Sequence, residues 1–429
     1  MQQRRVAVTG LGAICPIGND IPQLWENLLA GQCGIADIKQ FDASAFPTRI
    51  AAEVKNFVPS YPNAQKLQRT LMGFTSFAME AAHQAFQDSG FAVQNPYRFG
   101  IVAGCGMMTA EFEYLQRFQQ VVSNEEDEID WQKLQDTKQD FYQQADFAKT
   151  TSNAGLSALI QAFGSKGYAN AVHTACASSG QALGLALQAI RRGEADQILA
   201  GGFDSMIHPL GLSSFCLLGA LSTDNDDPEN ASRPFDGTRQ GFVLGEGAAF
   251  LMLEEWESAV ARGAKIYAEL AGEGNSLSAY RITDSHPNGD GAIQAITQAL
   301  ADAGVMPYDV DYINAHGTST KMNDLSETNA IKAVFGEQAY QIPVSSTKAQ
   351  TGHLIAAAGA LEAVITVKAI QEGIAPMTAH LQTPDPDCDL DYVTEGPREK
   401  AIGVAVSNSF GFGGSNSSLV FKHPHWRKR

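Results

Sequence analysis

Apolar residues along this chain fall into two alternating patterns, short unbroken runs and longer stretches in which they return every three or four positions. The runs Phe99-Gly100-Ile101-Val102-Ala103-Gly104, Ile198-Leu199-Ala200-Gly201-Gly202, Tyr312-Ile313-Asn314-Ala315 and Ile402-Gly403-Val404-Ala405-Val406 predict buried strands. Leu183, Leu187 and Ile190 share one face of a stretch that starts at Cys176 and closes at Arg191-Arg192-Gly193. The basic pair there suits a helix C-terminus, and Gly193 suits the left-handed residue that ends it. A matching helix is expected after Gly352-His353, running toward Gln371-Glu372-Gly373. Its start, Ala356, Ala357, Ala358, Gly359 and Ala360, is slim enough to approach a neighbour closely.

The two halves repeat one plan. Ala85-Phe86-Gln87-Asp88-Ser89-Gly90 ends a helix and precedes the strand at 99–104, and Ala299-Leu300-Ala301-Asp302-Ala303-Gly304 precedes the strand at 312 in the same way. A duplicated α/β unit is therefore predicted, with its joint near Arg262–Lys265. Residues 123–147 break the pattern. They are polar and acidic, with scattered Trp131, Phe141 and Tyr142, and read as a surface excursion with some helix.

Composition narrows the class. With 429 residues, 44% hydrophobic, 18% charged and 40 glycines, the chain suits an α/β fold with many close turns, large enough to bury a substantial core. No stretch of about 18 consecutive apolar residues suggests a membrane span. A net charge of −17 argues against nucleic acid or an anionic membrane as partner. The start Met1-Gln2-Gln3-Arg4-Arg5 looks like the charged end of a signal peptide, but Gly10, Gly12, Pro16 and Gly18 interrupt the apolar stretch after it, so a buried first strand is expected. Cysteines 15, 33, 105, 176, 216 and 388 show neither CxxC pairs nor metal-ligand spacing, which points to reduced thiols in a cytoplasmic protein.

Candidate chemistry begins with Cys176, in Val172-His173-Thr174-Ala175-Cys176-Ala177-Ser178-Ser179-Gly180. A thiol at a helix N-terminus meets unpaired N–H groups and the positive end of the dipole, which favour the thiolate and mark a candidate nucleophile. His173, Cys105 and Cys216 read as structural residues. Val8-Thr9-Gly10-Leu11-Gly12 starts like a dinucleotide fingerprint, but Cys15 stands where the third glycine belongs.

Thr174-Ala175-Cys176 is followed by Asn314-Ala315-His316-Gly317-Thr318-Ser319-Thr320, then Ser346-Thr347-Lys348 with Thr351-Gly352-His353-Leu354, and last Asn408-Ser409-Phe410-Gly411-Phe412-Gly413-Gly414-Ser415-Asn416. In this order and approximate spacing the set resembles the β-ketoacyl-acyl-carrier-protein synthases of the Cys-His-His type, as do Ser232-Arg233-Pro234-Phe235-Asp236 and Gly241-Phe242-Val243-Leu244-Gly245-Glu246-Gly247. The resemblance implies a thiolase-type α/β fold of two βαβαβαββ halves in αβαβα layers. Residues 1–262 would carry the nucleophilic cysteine, and 263–429 both histidines and the glycine-rich loop.

The implied reaction is decarboxylative condensation of an acyl group held on Cys176 with malonyl-acyl carrier protein, in fatty-acid or polyketide and polyene elongation. Cys176 and Phe412 would supply oxyanion-hole N–H groups. His316 and His353 would stay neutral and stabilise an enolate, the helix start at His353 disfavouring imidazolium. Lys348 would set the electrostatics around His353, with Glu362 as its ionic partner. Thr318 and Thr320 would bind the pantetheine arm, and Phe242 and Phe412 would line the junction of the two channels, with Phe412 as a gate.

Met107 and Met108 occupy the stretch expected to close the acyl pocket, and Lys66 and Arg69 are the candidate carrier-docking cations. No cofactor or metal is required; a Cys-His-His zinc site conflicts with the cation of Lys348. The resemblance further implies a dimer, either of identical chains or with a chain-length-factor-like partner. Gly219 stands where some members are basic, and Ala356 where glycine is usual, which makes a specialised pathway a rival to fatty-acid elongation. Two further readings compete. A degradative thiolase would want a second catalytic cysteine, and Cys388 has the wrong neighbours; a non-catalytic partner or scaffold subunit would not need Cys176, His316, Lys348 and His353 intact.

Overall fold

The computed structural model describes residues 3–67, 71–106, 112–124, 126, 128–141, 149–151 and 153–428, the side chains of 66 and 138–141 excepted. Its main sheet contains ten strands: β1 (Val6–Ile14), β2 (Phe99–Cys105), β3 (Ala169–Val172), β4 (Gln197–Ser205), β5 (Glu246–Glu255), β6 (Ala268–Leu277), β7 (Tyr312–Asn314), β8 (Val344–Ser345), β9 (Val404–Phe410) and β10 (Ser415–Lys422). They lie in the order β8-β7-β9-β10-β6-β1-β5-β4-β2-β3, which is a palindrome if each strand of the first five is matched to the strand five places later. Orientation repeats as well. The β1–β5 and β5–β4 pairs are antiparallel and β4–β2–β3 parallel, and β6–β10, β10–β9 and β9–β7–β8 follow suit.

Six helices complete the repeat: α1 (Thr75–Asp88), α2 (Ala154–Phe163), α3 (Ser178–Arg191), α4 (Asp290–Ala303), α5 (Lys321–Phe335) and α6 (Ala358–Glu372). Each half thus runs βαβαβαββ, as the resemblance implies. The halves join at the short antiparallel pairing of Ala7 with Glu269 and Val8 with Ala268. Helix α1 covers the outer face of β1, β5 and β4, and α4 covers β6 and β10. Between the two halves lie α3 and α6, each touching strands of both, which gives the αβαβα layering.

The sequence pattern explains this placement. Leu183, Leu187 and Ile190 of α3 are fully buried with Leu361, Val364 and Ile365 of α6 in one central cluster, and each such side chain contributes roughly 1.5–3 kcal/mol on burial. Gly193 takes φ +73° just past the end of α3, as its position predicts. The glycines of the Gly10-Leu11-Gly12 segment serve packing. A methyl at Gly10 or Gly12 would lie 2.1 Å from the carbonyl of Ala85 or 2.0 Å from that of Ala81, so these glycines let α1 press onto β1. Gly272 and Gly274 do the same for Ala299 and Ala295 of α4. No helix among the described residues is long and apolar enough to cross a membrane.

Outside the repeat, helices Phe112–Val122 and Trp131–Phe141 flank the start of the acidic excursion, where Trp131 is exposed. Met107, Met108 and Arg69 lie outside the described residues. Lys66 falls in the short helix Ala64–Leu67, its side chain not described.

Candidate active site

The chemistry-bearing residues come after β3 in the first half and after β7, β8 and β9 in the second, and the packing of the two halves on α3 and α6 brings them together. Cys176 occupies a 3-10 turn, Ala175–Ala177, between β3 and α3. Ala175 is held at φ +49°, a conformation costing about 1–3 kcal/mol for a residue with a side chain. The second half has the same turn at Ile355–Ala357, with Ile355 also at φ +49° and Ala356 in the place of Cys176.

His353 is fixed by its backbone. It donates its N–H to the Val243 carbonyl at 2.8 Å and accepts from Gly245 N–H at 2.9 Å, so the Gly241–Gly247 motif forms its cradle. The helix proper begins only at Ala358.

The three groups meet. His353 Nε2 lies 3.1 Å from Cys176 Sγ, the two imidazoles stack edge to face with centroids 5.3 Å apart, and ligand atoms of Cys176, His316 and His353 all fall within 4.8 Å of one another. Ile355 N–H donates to His353 Nδ1 at 3.2 Å, which places the proton of the neutral ring on Nε2, facing the sulfur. Among the described residues His316 Nδ1 has no hydrogen-bond partner.

Both imidazoles are held well below the ordinary histidine range, by burial first and then by the charge of Lys348. The neutral state expected of His353 is therefore correct in direction, but burial and a nearby cation produce it rather than a helix terminus.

Lys348 and Glu362 form an ion pair, each only 2% exposed, and Lys348 Nζ also donates to the carbonyl of His316 at 2.6 Å. Its hydrogen bonds thus reach His316 rather than His353. Burial raises the Glu362 carboxyl and Lys348 pulls it back. The same cation disfavours a metal on the Cys-His-His cluster.

Cys176 requires a correction. Burial pushes its thiol up to about 12, against the N–H groups of Phe412 and of Cys176 itself and the charge of Lys348, which pull it down. In the closed site the resting group is a thiol, because loss of hydration outweighs the favourable dipoles.

The glycine-rich loop Gly411–Gly414 lies between β9 and β10 and brings Phe412 N–H to the sulfur. Phe412 and Phe242 flank the cavity with ring centroids 6.5 Å apart, and Phe242 packs edge-on against His353 at 5.3 Å. The cavity measures about 300 Å³; Thr318 and Thr320 line it beside Cys176, His316, His353 and the two phenylalanines, their hydroxyls 2.9 Å apart. Thr320 also caps α5.

Sequence reasoning missed three residues. Glu327 accepts the N–H groups of His316 at 2.9 Å and Gly317 at 2.8 Å, and the Asn408 amide at 3.1 Å, with its carboxyl raised by burial to about 7. Asp204, raised to about 7 by burial, accepts the Ala356 N–H at 3.0 Å behind Cys176. Phe215 closes an aromatic cluster with Phe242 and Phe412 at 5.6 and 6.2 Å. Asn408 opens the Asn408–Asn416 motif and was the one available hint of Glu327. His173 is structural, its Nδ1 lying 3.0 Å from the carbonyl of Cys105.

Family models for the β-ketoacyl synthase N-terminal domain and C-terminal domain match residues 3–259 and 267–382. The chain belongs to the β-ketoacyl synthase family. Among curated relatives, proteins named 3-oxoacyl-[acyl-carrier-protein] synthase 2 from Coxiella burnetii and Synechocystis are 43% and 44% identical to it, over 98% of this chain and 99% of each relative. Among solved structures, a type II polyketide ketosynthase in complex with its acyl-carrier protein superposes with a TM-score of 0.87 at 34% identity, covering 98% of this chain and 99% of that one. A β-ketoacyl synthase from Burkholderia phymatum reaches the same TM-score at 31% identity with the same coverage.

Proposed function

We propose that this ketosynthase is an acyltransferase that condenses an acyl group, carried on Cys176, with malonyl-acyl carrier protein to give 3-oxoacyl-acyl carrier protein and carbon dioxide. The observation that carries this reading is the 3.1 Å approach of His353 Nε2 to Cys176 Sγ with Nδ1 already occupied by a backbone N–H.

In the first half-reaction the sulfur attacks the carbonyl of a pantetheine-bound acyl group. Negative charge on the carbonyl oxygen is met by the N–H groups of Cys176 and Phe412. Collapse breaks the bond to the pantetheine sulfur, which leaves with the proton the thiol gave up. In the second, the bond from the malonyl methylene carbon to its carboxylate breaks and carbon dioxide departs. The electron pair moves to the thioester oxygen, between His353 Nε2–H and the His316 ring. The enolate carbon then attacks the acyl carbonyl and expels Cys176 as thiolate, which takes a proton from solvent.

Uncharged donors suit this step because they gain most from charge that appears only as the reaction proceeds. Thr318 and Thr320 sit where the pantetheine arm would enter, and Phe242 and Phe412 flank its end. The names of these curated relatives favour fatty-acid-type elongation over the specialised rival, and the intact site disfavours a scaffold role. The partners are an acyl carrier protein and a second subunit; structural neighbours include a ketosynthase solved with a chain length factor. The outer edge of β3, with Ala169 and Asn170 exposed, is a surface on which a subunit could extend the sheet. Six free thiols suit a reducing, cytoplasmic setting. No resident cofactor enters any step.

Replacing Cys176 with Gln tests the division of labour. Condensation should vanish while carbon dioxide release from malonyl-carrier persists; loss of both in a folded protein would overturn the assignment.

A further inference from the structure

The turn that carries Cys176 has a twin in the second half, and the twin is plugged. At Cys176 the N–H of the turn's central residue is free for an oxyanion, whereas the corresponding N–H, that of Ala356, is taken by Asp204 Oδ2 at 3.0 Å. Asp204 is buried, one residue from the end of β4, and its partners are the N–H groups of Ala356 and Ser205, with no cation among the described residues. Its other oxygen, Oδ1, has no hydrogen-bond partner among them. A buried carboxyl so sparsely compensated is costly to keep, which makes the one contact it sends to the second half informative.

That contact lies one residue from the reacting atoms. Ala356 follows Ile355, held at φ +49°, whose own N–H donates to His353 Nδ1 at 3.2 Å and keeps the ring proton on Nε2, 3.1 Å from Cys176 Sγ. The two turns also pack against each other, and the carboxyl is close enough to act on the Cys176 sulfur against the charge of Lys348. A strained φ persists only where its surroundings hold it. Asp204 supplies that hold from one side. Gly106 leaves the room for it, since a methyl there would lie 2.2 and 2.3 Å from the two carboxyl oxygens.

We propose that Asp204 is a positioning residue of the condensing site: its carboxyl fills the oxyanion position of the second half and so locks the Ile355–Ala357 turn that fixes His353 against Cys176. The proposal rests on the condensation reaction described above. It accounts for a carboxyl without a cation behind the nucleophile, because a backbone N–H shaped to meet an oxyanion is best satisfied by a carboxylate oxygen. The duplicated fold thus uses one turn for chemistry and its copy for alignment.

The test follows carbon dioxide release from malonyl carried on a bacterial acyl carrier protein. Asp204→Ala frees the Ala356 N–H and should lower kcat about ten- to a hundredfold, the scale of a small misplacement of a reacting group. KM should stay within about twofold, because Thr318 and Thr320 are untouched. Asp204→Asn still offers an oxygen to the Ala356 N–H and should keep kcat within about threefold of wild type. Gly106→Ala drives the intact carboxyl off Ala356 and should match Asp204→Ala, so it answers the same question should that variant fail to fold.

Added to His353→Asn, Asp204→Ala should cost less than about a further threefold, because a residue that acts through His353 then has nothing left to align. A general structural role would multiply the two losses instead. Iodoacetamide should alkylate Cys176 in Asp204→Asn at least as fast as in wild type, since removing the carboxylate charge favours the thiolate. An unchanged kcat in folded Asp204→Ala or Gly106→Ala, an Asp204→Asn as impaired as Asp204→Ala, multiplied losses in the double variant, or slower alkylation overturns the proposal and leaves the condensation reading standing. Wild-type protein that releases no carbon dioxide overturns that reading and this proposal with it.

Discussion

Gly411 offers a way to separate the two half-reactions without replacing a side chain of the site. Its backbone, φ −115° and ψ 156°, is open to any amino acid, so only space forbids a side chain there. An added methyl carbon would lie 2.9 Å from the Thr174 carbonyl oxygen and 3.1 Å from Cys176 N, where ordinary contact begins at 3.4 Å. Gly411→Ala must therefore move the loop by about 0.5 Å, the gap between 2.9 and 3.4 Å.

Phe412 N–H rides on that loop, and a displacement of this size takes it out of the roughly 2.7–3.1 Å range in which a donor stabilises an oxyanion. Loss of one such donor costs about 10²–10³ in rate, or about 2.7–4 kcal/mol. Acylation of Cys176, followed as the mass of the acyl-enzyme over time, should slow by that factor. Decarboxylation relies on the imidazoles, so carbon dioxide release from malonyl-carrier should fall by less than about tenfold. The protein should stay folded, since overpacking of this kind costs about 1–3 kcal/mol. Equal losses in both half-reactions, or an acylation rate unchanged in folded protein, would refute the assignment of Phe412 N–H to the acyl-transfer oxyanion.

Two further outcomes follow from the imidazoles. His353→Gln keeps an amide N–H near the position of Nε2 and should lose about tenfold in carbon dioxide release, whereas His353→Asn carries its amide only as far as Nδ1 and should lose about 10²–10³; equal losses would contradict the tautomer read from Ile355 N–H. Burial, and after it the charge of Lys348, holds both histidines below the usual range, so they are already neutral well on the acid side of the ordinary histidine pKa, and wild-type decarboxylation should be flat from about pH 7.5 to about pH 6.5. Lys348→Met removes that cation, the imidazoles take protons more readily, and the acid limb of the rate profile should move to higher pH; an unmoved limb would show that Lys348 acts by packing alone.

Much of this protein was legible in one dimension. The paired strand and helix patterns carried the duplication because each half must bury the same faces against the same layers. The reactive residues were legible because Cys176 and His316 follow strand ends and His353 a short helix, each among small residues where local sequence dictates a tight turn. Glu327 was not, since a carboxylate on a helix reads as a solvated face until the fold turns it inward onto His316 N–H. The same holds for Phe215, which shares a helix face with Leu212 as any core residue would and becomes part of the site only when that helix is laid against Phe242 and Phe412.

The order of residues carried the repeat and the candidate thiol, and the family resemblance named the two imidazoles and the Lys348–Glu362 pair that the fold brings together. The protonation states were decided by tertiary structure. Burial depends on what packs around a group from distant parts of the chain, and it turned a thiolate expected from a helix dipole into a thiol while making two histidines neutral.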